Sequence, residues 1–275
     1  MPLSKIQGDV IGLLASHRDP ESYVAGSIPL NRQSQRYSTD IDIFQDREER
    51  VTTAAANDAS VLEAHGYDIH WQRRGAAIQT ASVSRDGLVT KLEWVADSDY
   101  RFFPTVRDKI FGYTLHPVDM ATNKASAAAS RRELRDIVDL VEIHQTILPL
   151  GAIVWAAVDK SPGFTPEAMI AEIRRNSRYS SAEWGELETE APIDPAQVLS
   201  KLRAALDEAE EFVIRMPSEK IGLLFLENGE IVQPDPDRLD QYHTHAGQRR
   251  GHWPSSADIE SEMLKLYLPD HQKSH

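Results

Sequence analysis

Alternation of acidic and apolar residues at positions 40–43, within a strand predicted over residues 39–44, constrains this chain more than any other sequence feature. Successive side chains of a strand point to opposite faces, so Asp40 and Asp42 share one face while Ile41 and Ile43 share the other. A strand with this pattern is half-buried, because only its apolar face can pack on a core. The pattern therefore predicts one strand of a sheet whose second face carries two neighbouring carboxylates.

Two carboxylates this close repel each other unless a cation lies between them. Mg²⁺ prefers one or two carboxylates together with phosphate oxygens. Upstream, Gly26 and Ser27 end a strand predicted over residues 22–25, and such a small turn lets backbone N–H groups approach a phosphate. A phosphate-binding turn followed by a metal-binding strand is typical of phosphoryl or nucleotidyl transfer. A solvated edge strand would show the same Asp-x-Asp spacing, so the sequence pattern alone leaves both interpretations open.

Hydrophobic periodicity around this strand predicts an α/β (α+β) fold, with a small mixed sheet flanked by helices. Helical spacing covers residues 6–15 and 50–65. Strand patterns cover residues 67–71, 77–83 and 88–95, and the turn at residues 85–87 makes the last two a predicted hairpin. Two further helical patterns, over residues 118–130 and 133–147, complete a first domain predicted over residues 1–150.

Helical patterns also dominate residues 151–275, which we predict to be a mainly helical region with one β-hairpin. The predicted helices cover residues 165–178, 194–214 and 258–268. The hairpin joins residues 221–226 to residues 230–232 through Asn228-Gly229, a strong turn signal. Residues 233–257, which include His243, His245 and His252, are predicted to form an irregular loop.

Composition and charge exclude several classes of protein. Of the 275 residues, 41% are hydrophobic and 27% are charged, which suits a globular chain and excludes wholesale disorder. No apolar run approaches the roughly 20 residues of a membrane helix, and the first residues lack the pattern of a secretory signal. We therefore expect a cytoplasmic protein without membrane contact.

The absence of cysteine excludes disulfides, Cys-based zinc sites and thiol nucleophiles. The net charge of −13 does not attract a polyanion, so contact with nucleic acid would need a local basic patch.

Two separate motifs resemble one known family. After Gly26-Ser27, the stretch RYSTDIDIF at residues 36–44 resembles the R-x-S-x-D-I-D-F signature of the AbiEii/AbiGii toxin family. That family belongs to the nucleotidyltransferase superfamily with the DNA polymerase β-like fold. The stretch HPVDMATNKASAAASRRELRDIVDL at residues 116–140 is similar to later motifs of the family, and both motifs occur in the family's order. The resemblance covers about residues 20–145.

The resemblance implies a nucleotide site at the first motif. Gly26 and Ser27 would hold the β- and γ-phosphates of a nucleoside triphosphate. Arg36 and Ser38, at matching positions of the signature, would also belong to the nucleotide site and shape it.

The resemblance further implies a metal site in which Asp40 and Asp42 are catalytic and hold Mg²⁺. Polymerase-like transferases often add a third carboxylate from a later strand, as a metal ligand or as the base for the attacking hydroxyl. Glu93 is the candidate here. Period two places Glu93 beside Lys91 on one face, so a solvated surface of this strand is the alternative interpretation.

Lys124 and Asp136 match catalytic positions of the second motif. Lys124 would contact triphosphate oxygens, although most lysines are exposed or extend to solvent from a helix. Asp136 would match the final motif's aspartate, although pairing of Asp136 and Asp139 with Arg132 or Arg135 at helical spacing is the alternative interpretation.

Two classes of function follow from these observations. The first is a nucleotidyltransferase that moves a nucleotide monophosphate from a nucleoside triphosphate to an acceptor hydroxyl, on RNA such as tRNA or on protein. The resemblance implies that such an enzyme is the toxin of a type IV toxin–antitoxin pair, whose antitoxin need not contact it. The second is a non-catalytic nucleotide-binding or regulatory protein of the same fold. The intact set of Asp40, Asp42 and Lys124 favours the enzyme.

Overall fold

The computed structural model describes residues 3–30, 36–98 and 100–249. The chain divides into two compact units. The first comprises the described residues of Met1–Asp99 and Phe103–His116, and the second those of Tyr100–Phe102 and Pro117–His275. The helix predicted over residues 258–268 lies outside the described residues.

The described part of the chain combines helices, strands and short 3₁₀ turns. In chain order, the helices are α1 (Lys5–Leu14), α2 (Ser27–Leu30), α3 (Glu48–Ala64), α4 (Pro117–Ser130), α5 (Leu134–Thr146), α6 (Leu150–Lys160), α7 (Pro166–Asn176), α8 (Ser181–Gly185) and α9 (Pro195–Arg215). The strands are β1 (Ser22–Ala25), β2 (Asp40–Gln45), β3 (Asp68–Arg74), β4 (Ile78–Arg85), β5 (Leu88–Ala96), β6 (Tyr100–Arg101), β7 (Val106–Asp108), β8 (Gly112–Thr114), β9 (Leu223–Glu227), β10 (Glu230–Val232), β11 (His243–Ala246) and β12 (Gln248–Arg249). The 3₁₀ turns are Ala15–His17, Ser218–Lys220 and Pro236–Gln241.

The first unit is built on one seven-stranded sheet with the order β3-β4-β5-β2-β1-β8-β7. The sheet is mixed, because β2 runs parallel to β5 and β1 runs parallel to β8 while the other pairs are antiparallel. The predicted β4–β5 hairpin is confirmed, and its turn residues Asp86 and Gly87 both have positive φ, as two-residue hairpin turns require. The prediction of a mixed sheet flanked by helices is therefore confirmed.

The core of the first unit lies on one face of this sheet, where α1 and α3 cover it. Ile41 and Ile43 of β2 are buried on this face, together with Leu92 and Trp94 of β5. Their intervening neighbours on β2 are only partly buried, as the alternating sequence predicts. The predicted carboxylates therefore lie on the face of the sheet opposite the core.

A buried polar cluster centres on Asp58 of α3. Arg18 Nη2 donates to both Asp58 carboxylate oxygens, at 2.6 and 2.7 Å, and Trp94 Nε1 donates to Oδ2 at 2.8 Å. His17 Nδ1 lies 3.0 Å from Asp58 Oδ1. The Arg18 and Asp58 side chains are each only 1% exposed. One carboxylate thus connects the first 3₁₀ turn, α3 and β5.

The second unit contains α4 to α9 and two small sheets. The predicted helix starts at Thr165-Pro166 and Asp194-Pro195 are confirmed, because each capping side chain accepts a backbone N–H of its own first turn. In the described residues no single helix is long and apolar enough to span a membrane, although α5 and α6, bent by 118°, meet the length and composition test as a pair.

The helix α6 was not predicted, because Pro149 and Gly151 look like breakers in the sequence. Pro149 instead sits at the N-cap of α6, where its missing N–H costs nothing. A Cβ at Gly151 would lie 2.9 Å from Phe212 Cδ1, so the glycine lets α6 approach α9 closely. The boundary predicted between residues 150 and 151 falls after the first residue of α6, within the second unit.

The C-terminal hairpin of β9 and β10 is confirmed, with Asn228 and Gly229 at positive φ in its turn. The prediction of an irregular loop after it is wrong in part, because His243–Ala246 forms β11 and pairs with the free edge of β9. His245 Nε2 also lies 2.6 Å from the carbonyl oxygen of Phe102. Both contacts are long-range, so the local sequence carries no signal for them.

Candidate active site

Four charged side chains lie close together on the face of the first unit's sheet that is opposite the core. The parallel register places Asp40 opposite Lys91 and Asp42 opposite Glu93. Alternation places all four on the same face, at the corners of a rectangle roughly 5 by 7 Å across, given the strand spacing and the two-residue rise. Three carboxylates and one ammonium therefore share this face.

Lys91 is bonded to the carboxylate of its own strand. Its Nζ lies 2.5 Å from Glu93 Oε1 and 3.8 Å from Asp40 Oδ2. Burial lowers the pKa of Lys91, but the hydrogen bond to Glu93 and the charges of Asp40, Glu93 and Asp42 raise it more, so the pKa lies above its ordinary value. The Lys91 ammonium therefore reduces the repulsion among these carboxylates.

The turn at Gly26 lies against the carboxylate of Asp42. Ala25, the last residue of β1, is the antiparallel partner of Asp42, and the chain turns at Gly26 with φ of +74°. A Cβ at Gly26 would lie 2.3 Å from Asp42 Oδ2. Only glycine satisfies both the backbone angle and the close approach. The structure thus brings the predicted phosphate turn and a predicted metal ligand together, with Ser27 buried at the start of α2.

Arg36 and Ser38 stabilise the segment that leads into β2. Ser38 Oγ donates to the carbonyl of Asp40 at 3.3 Å, and Gln7 Nε2 donates to the carbonyl of Ser38 at 2.7 Å. Arg36 is buried, and its Nη1 donates to the carbonyl of Tyr37 at 2.8 Å. These bonds fix the backbone before the carboxylates, which agrees with a shaping role; direct contact with a nucleotide stays a prediction.

The oxygen-rich donor set of Asp40 and Asp42 suits a hard divalent cation such as Mg²⁺, completed by phosphate oxygens. Within residues 3–30, 36–98 and 100–249, no three His, Cys, Asp or Glu side chains are arranged to hold a metal ion. Glu93, predicted as the third ligand, has an oxygen engaged by Lys91. The metal site predicted on Asp40, Asp42 and Glu93 stays a prediction.

Lys124 lies in a buried ionic cluster of the second unit. Its Nζ lies 2.8 Å from Asp136 Oδ1 and 2.9 Å from Asp139 Oδ2, which joins α4 to α5. Arg131 Nε donates to Asp136 Oδ2 at 2.8 Å. Burial raises the pKa of Asp136, but the charge of Lys124 and the hydrogen bonds from Arg131 and Lys124 lower it more, so the pKa lies below its ordinary value.

The alternative pairing of Asp136 with Arg132 or Arg135 is wrong. Arg132 pairs with Glu183 and lies over the Tyr179 ring, while Arg135 Nε lies 3.8 Å from Glu133. The Asp136 carboxylate is instead fully buried in the α4–α5 contact, where it pairs with Lys124.

The sequence named two further members of these clusters without their partners. Asp139 was considered with Asp136 as a partner of Arg132 or Arg135, whereas the structure places it beside Lys124. Lys91 was visible only as a neighbour of Glu93, because its closeness to Asp40 depends on the register between β5 and β2.

No protein-family model matches the chain, and no curated protein matches it in sequence. Among solved structures it is similar to MenT4, a nucleotidyltransferase toxin of Mycobacterium tuberculosis, with a TM-score of 0.50 and 14% identity over 78% of this chain and 84% of that one. It is also similar to JHP933 of Helicobacter pylori, with a TM-score of 0.48 and 14% identity over 78% of this chain and 96% of that one. At these identities the likeness concerns the fold, and the MenT4 match identifies it as the nucleotidyltransferase fold.

Proposed function

We propose that the protein is a Mg²⁺-dependent nucleotidyltransferase that moves a nucleotide monophosphate from a nucleoside triphosphate to an acceptor hydroxyl. The observation that carries the proposal is the contact between Gly26 and Asp42, on the face that also presents Asp40. A phosphate-binding turn and a pair of carboxylates at one place supply what nucleotidyl transfer requires.

In the proposed site, Asp40 and Asp42 hold Mg²⁺, and the Gly26-Ser27 turn binds phosphate oxygens of the nucleotide. When bound there, Mg²⁺ would neutralise the negative charge that develops on the triphosphate as the acceptor hydroxyl attacks it. Gly26 leaves the space that Asp42 Oδ2 occupies, which keeps this carboxylate next to the turn. Arg36 and Ser38 keep the start of β2 in position through bonds to the backbone.

We assign Lys124 to the triphosphate as well, with Asp136 and Asp139 holding its ammonium in one place. A side chain held by two buried carboxylates loses little entropy when it binds an anion, so it is preorganised. The resemblance of the motifs to AbiEii/AbiGii toxins supports a toxin of a toxin–antitoxin pair acting in the cytoplasm, with RNA such as tRNA, or a protein, as the acceptor.

The direct test incubates the full chain with each α-³²P-labelled nucleoside triphosphate, Mg²⁺, total cell RNA and total cell protein. We expect label in one of the two acceptor fractions, only when Mg²⁺ is present, with release of pyrophosphate. Absence of label from both fractions would contradict the proposal that the protein is a transferase. Nucleotide binding by calorimetry without transfer would then support the alternative, a non-catalytic nucleotide-binding protein of this fold.

Gly26→Ala is expected to lower the rate of this transfer by about a hundredfold or more, because the new methyl displaces the Asp42 carboxylate from its position. Gly87→Ala is the matched control, since Gly87 has φ of +77° and no heavy atom within 4 Å of an added Cβ. Each substitution is expected to lower the free energy of unfolding by roughly 1–2 kcal/mol, because alanine is strained at a positive φ. Equal transfer rates for the two variants would show that the Gly26 contact has no role in the reaction.

A further inference from the structure

The buried ionic cluster of the second unit has one end that reaches the surface. Lys124 Nζ pairs with Asp136 and Asp139, and the Lys124 side chain is only 8% exposed. Arg131 pairs with the same Asp136 carboxylate, but its side chain is 49% exposed. A ligand that arrives from solvent therefore meets much more of Arg131 than of Lys124.

Asp136 holds the Arg131 guanidinium in one orientation. Arg131 Nε donates to Asp136 Oδ2 at 2.8 Å, and Nη2 donates to Oδ1 at 3.2 Å. The backbone N–H of Arg131 donates to the carbonyl oxygen of Ala127 at 3.0 Å, which continues the hydrogen-bonding pattern of α4 by one residue. Because the guanidinium is planar, the edge formed by Nη1 and the second Nη2 hydrogen faces away from Asp136. Such an edge matches two oxygens of one phosphate group.

The adjacent Arg132 has a different task, although its side chain is almost equally exposed, at 47%. Its Nε and Nη2 donate to the carbonyl oxygen of Arg178, and its Nη1 and Nη2 donate to the Glu183 carboxylate. Its guanidinium also lies over the Tyr179 ring. Arg132 therefore uses both of its edges to stabilise the junction between α7 and α8.

Resting on the proposed function, we propose that Arg131 is a further phosphate-binding residue, which contacts the triphosphate of the nucleotide from the exposed end of this cluster. Asp136 is then a positioning residue, because it fixes the guanidinium before the ligand arrives. An arginine held in this way loses little side-chain entropy on binding, which favours affinity. Lys124 marks the buried end of the same cluster.

The nucleotide is a better ligand for Arg131 than the phosphates of an RNA acceptor. Arg131 shares the Asp136 carboxylate with Lys124, the cation already assigned to the triphosphate. A polynucleotide is held by a wider basic surface, whereas the adjacent Arg132 and Arg135 each lie beside a glutamate. A single phosphate group fits the Arg131 guanidinium.

Isothermal titration calorimetry on the full chain tests the proposal, with ATP, GTP, CTP, UTP and inorganic tripolyphosphate as ligands in buffer with Mg²⁺. We expect Arg131→Gln to weaken binding of the preferred nucleoside triphosphate and of tripolyphosphate by about tenfold or more, as for lost hydrogen bonds to a charged group. Arg131→Lys keeps the charge but not the two-pronged edge, so its affinity should lie between those of wild type and Arg131→Gln.

Arg132→Gln is the matched control, because it removes the same charge from the next residue at almost equal exposure. Its affinities should stay within about twofold of wild type, as for an exposed ion pair. Equal losses in Arg131→Gln and Arg132→Gln would overturn the proposal. If Arg131→Gln does not fold by circular dichroism, Arg131→Lys decides, and wild-type affinity in that variant would contradict the proposal.

Two further outcomes would assign Arg131 to another ligand and so overturn the proposal. The first is a loss of affinity for the nucleoside triphosphate but not for tripolyphosphate, since the contact would then be with the nucleoside. The second is unchanged affinity for both, with weaker binding of an oligouridylate, since the contact would then be with an RNA acceptor.

Failure of this proposal is distinguishable from failure of the proposed function. Triphosphate binding that depends on Arg131, without nucleotidyl transfer, would contradict the function and leave the binding residue in place. Transfer by an Arg131→Gln protein that keeps wild-type affinity for the triphosphate would do the reverse. A wild type that binds none of these ligands would contradict both.

Discussion

Replacing Asp42 with Asn is expected to lower nucleotidyl transfer by about a thousandfold or more. The substitution keeps the shape of the side chain beside Gly26 but removes one of the two charges that hold Mg²⁺. A metal that neutralises a transferring phosphoryl group is worth several kcal/mol at the transition state, and 1.36 kcal/mol corresponds to each factor of ten. The measurement is the initial rate with labelled nucleoside triphosphate at saturating Mg²⁺, beside the thermal midpoint of each protein.

Asp68→Asn provides the control for this loss, because Asp68 is an exposed carboxylate on β3 of the same sheet. Its rate should stay within about twofold of wild type, as expected for an exposed charge remote from the metal. The thermal midpoint of the Asp42→Asn protein establishes that it is folded at the temperature of the rate measurement. If the Asp42→Asn protein is folded and keeps a tenth of the wild-type rate, the assignment of Asp42 as a metal ligand is wrong.

Replacing Asp58 with Ala is expected to lower the free energy of unfolding by about 3–5 kcal/mol, the cost of leaving a buried charge without its partner. Arg18 would lose both hydrogen bonds from Nη2, and its Nε and Nη1 already lack hydrogen-bond partners. Trp94 Nε1 would lose its acceptor in the core as well. Urea denaturation followed by far-ultraviolet circular dichroism measures the change.

Asp9→Ala makes the same chemical change at the surface of the same unit, where Asp9 pairs with the partly exposed Arg85. Surface ion pairs contribute about 0–1 kcal/mol, so this variant should lie close to wild type. Similar losses for Asp58→Ala and Asp9→Ala would show that the buried cluster contributes no more than an exposed pair. The substitution Asp58→Asn, which keeps acceptor and shape, should recover part of the loss.

Features fixed by local sequence were predicted well. The alternation at residues 39–44 gave the correct strand and the correct buried face, because one face of a strand in a sheet must meet the core. The turn residues Asp86-Gly87 and Asn228-Gly229 identified both hairpins, since few residues adopt a positive φ. The sequence also predicted that Gly26 and Asp40 meet at one edge of the sheet; in the structure the carboxylate that lies against Gly26 is that of Asp42.

Features that depend on pairing between distant segments were not predictable in the same way. The hydrogen bond of Lys91 to Glu93 lies within one strand, but its closeness to Asp40 requires the β2–β5 register. The strand β11 forms only because the edge of β9 is open to it. The buried pairing of Lys124 with Asp136 and Asp139 requires the rotation of α5 against α4, which a single sequence does not specify.

The parallel pairing of β2 with β5 also sets the order in which the site can come into existence. Between these two strands the chain must complete α3, β3 and β4, so Asp40 and Glu93 meet only after a long loop closes. Closing such a loop costs chain entropy before any contact between its ends repays it. A nascent chain that has not yet released β5 from the ribosome therefore carries both aspartates on a strand with one unpaired edge, and this face of the sheet can form only after β5 has emerged.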